Sequence, residues 1–157
     1  MSFFYRGKTK DAPALPAWIM RLATTAALTL YPAGCVAHLY GSSLAGYGLM
    51  VGALIAFIVI APSSMQRIVG EETKLLDEME LDLRRRAHAF AYQVFGALTL
   101  VGILYMGIAS DATRIELWAP STWDHWSALL WGAIIWSVVL PTAYLAWAGP
   151  APVAEEE

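Results

Sequence analysis

Residues 22–61 read LATTAALTLYPAGCVAHLYGSSLAGYGLMVGALIAFIVIA, forty positions without a Lys, Arg, Asp or Glu. A helix crosses the bilayer core in about 20 apolar residues, so this stretch is twice too long for one crossing. Gly41-Ser42-Ser43 stands near its middle and supplies a turn. The stretch therefore predicts a transmembrane hairpin, one span over 18–40 and a second over 44–61, closed by Pro62-Ser63-Ser64. Two further apolar runs complete the pattern. A third span is predicted over 87–110, and a fourth over 126–148, where Gly149 and Pro150 end it. None of the runs shows the two-residue alternation of a barrel strand, so helices are the expected solution.

The rest of the composition agrees. At 157 residues there is room for one domain, and a hydrophobic share of 58% is above that of ordinary soluble domains. A net charge of −3 gives no electrostatic basis for binding nucleic acid. One cysteine, Cys35, excludes an internal disulfide and a Cys-rich metal site, and reads as a buried thiol.

Orientation follows from the basic residues. Arg6, Lys8, Lys10 and Arg21 precede or open the first span, and Arg67, Lys74, Arg84, Arg85 and Arg86 lie between the second and third. Arg114 alone stands between the third and fourth. The expectation is an all-α, four-transmembrane-helix bundle in a bacterial inner membrane, with both termini cytoplasmic. Trp118, Trp123, Trp126, Tyr40 and Tyr47 fall at the outer boundary and Trp18 and Trp147 at the inner one, where amphipathic rings are at home. The acidic tail, 149–157, reads as disordered.

The segment 71–86 is the one sizeable polar element. Leu75, Leu76, Met79 and Leu83 recur at helical spacing opposite Glu71, Glu72, Asp77, Glu78, Glu80 and Asp82. It predicts a cytoplasmic amphipathic helix that runs on into the third span. Its arginines, Arg84, Arg85 and Arg86, would meet lipid headgroups, and its Leu/Met stripe would meet a partner.

Within the spans, Gly48, Gly52 and Ala56 recur every four residues, and Gly96, Gly102 and Gly107 thin the third. Small residues let helices approach closely, within the chain, against another subunit or in a homo-oligomer. Pro32 and Pro141 each remove a helix hydrogen bond, which Thr29 or Ser137 is placed to compensate.

Candidate chemistry is sparse. The spans hold no acidic or basic residue away from their ends, which sets a small transporter third in order. No nucleophile elbow, zinc-protease motif or phosphate loop is present. His38 and His125 share the outer side and are the candidate pair for haem b or quinone, whereas His88 lies at the opposite face. Asp111, Glu116 and Asp124 accompany Arg114 outside and read as solvated. These features favour a non-enzymatic accessory or assembly subunit of a larger membrane complex. The alternative is a haem- or quinone-binding redox protein.

Overall fold

A computed structural model describes residues 15–111 and 117–148. The basic positions 6, 8, 10 and 114, the side chain of position 111, Glu116 and the tail 149–157 lie outside the described residues. The described chain is helical throughout, with five α-helices: α1 Ala17–Tyr40, α2 Ser43–Ile60, α3 Ser64–Gly70, α4 Glu78–Asp111 and α5 Trp123–Ala148. Four of these, all but α3, are long and apolar enough to cross a membrane.

The hairpin turn is short because Gly41 and Ser42 alone separate α1 from α2. Its seam depends on two glycines. A methyl group at Gly34 would lie 2.9 Å from the carbonyl oxygen of Gly46, and one at Gly46 would lie 2.6 Å from the Cβ and backbone nitrogen of His38. No side chain fits at either position, so backbone rests on backbone. Close approach of this kind brings dispersion and weak Cα–H contacts into range.

Only part of the expected small-residue stripe is used within the chain. Of Gly48, Gly52 and Ala56, Ala56 is buried and Gly52 meets the end of Leu30, but Gly48 opens onto empty space. Gly96, Gly102 and Gly107 also have nothing within 4 Å of an added methyl. A four-residue period locates a stripe of small residues, but it does not say which face the neighbouring helix takes.

Pro32 and Pro141 are both accommodated inside unbroken helices. Proline at 32 frees the carbonyl four residues back, on Leu28. The indole N–H of Trp136 on α5 donates to that carbonyl at 3.2 Å. Thr29, the expected compensator, instead donates to Thr25 within its own helix. Ser137 likewise donates to Ile134, three residues back. The freed carbonyl has thus become a tie between helices. Two more ties join α1 to α5: the Tyr31 hydroxyl donates to Ala128 at 3.3 Å, and Arg21 Nε donates to Ala146 at 2.9 Å near the C-terminus of α5. The Arg21 guanidinium lies 5.4 Å from the centre of the Trp147 ring.

The helices are ordered in a row, α2 on α1, α1 on α5 and α5 on α4, with α3 tucked beneath α4 and α5. The packed core lies at one end of the helices' length, across the whole row. Met20, Ala23 and Ala27 of α1, Ile60 of α2, Met65 and Val69 of α3, Ala87 of α4 and Val139 and Leu145 of α5 form it. We term this the basic end. The opposite end, where α1 meets α2 and α5 begins, is the aromatic end.

At the basic end the expected helix over 71–86 is shortened. Residues Thr73–Leu75 form a single 3-10 turn, and the long helix begins only at Glu78. Asp77 starts it as a cap. Its carboxylate accepts from the Glu80 N–H at 2.7 Å, while the Glu80 side chain accepts from the Asp77 N–H at 3.3 Å. That reciprocal capping box stops the helix from extending back to Glu71.

Candidate functional site

Two cavities lie in the aromatic half, and the two candidate histidines line different ones. The smaller, about 210 Å³, lies between α1, α2 and α5 and is lined by His38, Tyr47, Asp124 and Ser127 among others. The His38 ring is 4.7 Å from that of Tyr47, and its Nδ1 is buried without a hydrogen-bond partner. Close packing of α2 through Gly46 holds this side chain in place.

The larger cavity, about 910 Å³, is a cleft between α1 and α4 with α5 as its floor. Phe95, Leu98, Thr99, Gly102, Ile103 and Met106 of α4 line one wall. Their spacing of three and four places them on a single helix face. Val36 and Leu39 of α1 line the other wall, and Leu129, Gly132, Ala133 and Trp136 of α5 the floor. The lining is mostly apolar, and three of its polar side chains, Tyr31, Thr99 and Trp136, spend their donors on the backbone carbonyls of Ala128, Phe95 and Leu28.

At the aromatic end, Tyr40, Trp118 and His125 form one cluster. The Tyr40 and His125 rings stack at 6.3 Å with 16° between their planes, and Trp118 meets His125 at 5.5 Å, edge on. The Trp118 indole donates to the Tyr40 hydroxyl, and the Tyr105 hydroxyl donates to the Trp118 carbonyl at 2.8 Å. These bonds tie the segment before α5 to both α1 and α4. His125 Nδ1 accepts from the Ser121 N–H at 3.2 Å. A neutral His125 therefore carries its proton on Nε2 and presents a donor.

The residues at the opposite end of α4 divide by role. Leu76 is buried and Leu83 packs against the core, so half of the expected partner stripe serves this chain. Leu75 and Met79 are 58% and 63% exposed and remain available. Arg84 turns inward and donates to the Glu71 carbonyl at 2.6 Å. Arg86 pairs with Asp82 at 2.7 Å on the surface, and Arg85 is exposed. His88 approaches the Val69 carbonyl at 3.4 Å.

An ion cluster that sequence spacing did not reveal organises this end. Arg67 donates to Glu71 at 2.8 Å and also to Glu80. The Glu71 side chain is 2% exposed. Burial alone would lower the basicity of Arg67, but the bond to Glu71 and the charges of Glu80 and Glu71 outweigh it and hold the guanidinium above its ordinary value. Beside it, the Thr142 hydroxyl of α5 donates to the Gln66 side chain. Among the described residues no three His, Cys, Asp or Glu side chains are grouped to hold a metal.

Comparison of the chain with protein-family models, curated proteins and solved structures finds no match.

Proposed function

We propose that this chain is a non-enzymatic subunit of a larger integral membrane complex. It is seated in a bacterial inner membrane as a four-span bundle with both termini in the cytoplasm. The observation that carries this reading is the state of α4. It packs chiefly on α5 and α3, and the side turned away from the cleft is open at Gly96 and Gly107, where an added methyl meets nothing within 4 Å. Gly96, Leu100, Leu104 and Gly107 run along that side at helical spacing, with both glycines open and both leucines about two-thirds exposed. Lipid gives no reason to keep glycine on a helix surface, whereas a second helix does, because glycine lets backbones approach. Leu75 and Met79, exposed beyond the N-terminal end of the same helix and in its first turn, extend the contact outside the spans.

The expected result of mild-detergent extraction is an assembly well above the 17.1 kDa of the chain, with stoichiometric membrane partners. Recovery as a bare monomer would count against the reading. Orientation is tested separately. A cysteine at Ser42, in the α1–α2 turn, should react with an impermeant maleimide on intact cells, and one at Lys74 should not.

The alternative of one haem held jointly by His38 and His125 is less favoured. The two imidazoles line separate cavities, and the Ser121 bond leaves His125 with a proton on the nitrogen that iron would need.

A further inference from the structure

We propose that the cleft between α1 and α4 is a binding site for an isoprenoid quinone, its ring among Tyr40, Trp118 and His125 and its tail along α4. This goes beyond the assembly reading and does not depend on it.

The dimensions come first. From Phe95 to Met106 the cleft follows α4 for about 16 Å, at 1.5 Å per residue. Its volume of about 910 Å³ lies in the ordinary range for small-molecule sites. A long apolar groove along one helix face suits a hydrocarbon tail, which gains by leaving water and needs no polar partner.

Polarity then selects the headgroup. Tyr31, Thr99 and Trp136 have already given their donors to backbone carbonyls, whereas two groups at the aromatic end present theirs. Tyr40 accepts from the Trp118 indole and so keeps its own hydroxyl hydrogen to donate, and His125 keeps Nε2–H. Donors call for an acceptor on the ligand, and carbonyl oxygens are the acceptors of a quinone ring. Among the described residues no Lys or Arg lines the cleft. A phosphate headgroup would enter without a counter-charge, whereas an uncharged ring would not. The stacked rings of Tyr40 and His125, with Trp118 edge on, also suit a flat ligand.

The test uses the purified full-length chain in phosphatidylcholine nanodiscs, titrated with a decyl-tailed benzoquinone. Trp118, Trp126 and Trp136 line the cleft, so quenching of indole fluorescence reports occupancy. Saturable quenching is expected, weakened about tenfold by His125→Phe, the scale of one lost hydrogen bond. Gly102→Phe should abolish it. Gly102 lines the cleft with nothing within 4 Å of an added methyl, so the ring enters the site without disturbing the fold. Ser127→Ala, which alters only the smaller cavity, should leave quenching unchanged. Circular dichroism checks that each variant is helical. Quenching that never saturates, or that persists in helical Gly102→Phe, overturns the proposal. So does a stoichiometric phospholipid, retained through extraction and displaced by Gly102→Phe in place of quinone. A partner peptide cross-linked into the cleft overturns it too.

Discussion

The two ends of the bundle along its helices, basic and aromatic, are built by opposite means. At the basic end all five helices converge on one core, and side chains pair across it: Arg67 with Glu71 Oε2 and Glu80, Thr142 with Gln66, Arg84 with the Glu71 carbonyl. At the aromatic end α1 and α2 stay in backbone contact while α1 and α4 part around the cleft. Among the described residues, hydrogen bonds through Tyr40, Trp118 and Tyr105 bridge the gap. The chain is clamped at one end and open at the other. A molecule made this way can keep its fold while its open half takes a ligand or a neighbour.

The largest effect that would test this contrast is removal of the clamp. Arg67→Ala leaves Glu71, 2% exposed at its side chain, without its cation. Losing one member of such a buried pair costs about 3–5 kcal/mol. A shift of that size in an SDS unfolding titration is expected, and a near-neutral result would mean that the ends are held alike. The pH dependence has a definite sign. The Arg67 basicity is raised in the folded chain, so its contribution is full below the ordinary arginine range and lost only above it. Melting curves across the neutral and mildly alkaline range should show no loss from this group.

Next in size is the seam that remains tight at both ends. Gly46→Ala places a methyl 2.6 Å from the His38 backbone nitrogen, where no flexible side chain can yield. Overpacking of this kind costs about 1–3 kcal/mol. The same titration reads it, and circular dichroism shows whether the hairpin remains helical. A tolerated alanine would separate α1 from α2 and undo the account of His38 as a ring held by packing.

Trp136→Phe comes third. It removes the donor to the Leu28 carbonyl that Pro32 leaves free, at a cost of about 1–2 kcal/mol for an unsatisfied group. A double variant with Pro32→Ala restores the helix's own bond, so it should recover most of the loss. Failure of that recovery would show that the indole acts through its volume alone.

How much of this was legible in the sequence depends on the range of each interaction. The spans follow from hydrophobic runs, a local property, and the helices lie close to the expected bounds. The α4 start moved to Glu78 because a capping box at Asp77 and Glu80 outweighs a continuous helical pattern. Close packing was harder to read. Gly34 and Gly46 sit twelve positions apart across a turn, and their meeting depends on the rotation of two helices that spacing does not specify. The Trp136 tie had a usable signal. An indole in mid-span needs a partner for its N–H, and Pro32 frees the carbonyl at Leu28. The cleft left no such mark, because its walls come from three helices and the sequence of each is ordinary.

The smallest expected effect is the most discriminating between packing within the chain and packing beyond it. Gly96→Ala and Gly107→Ala add a methyl where the chain has nothing within 4 Å. In the isolated protein the change should be neutral or stabilising by up to about 1 kcal/mol, since alanine is the better helix former. If these glycines face only lipid, larger residues should be equally harmless in the cell. If they seat a partner helix, Gly107→Leu should leave the purified chain as stable as before and yet shrink the assembly recovered in mild detergent. Glycine thus has opposite meanings on the two sides of the molecule. At Gly46 its substitution is felt by the monomer, and at Gly107 only by what the monomer binds. An equal effect at both positions would show that the open half is already closed within the chain.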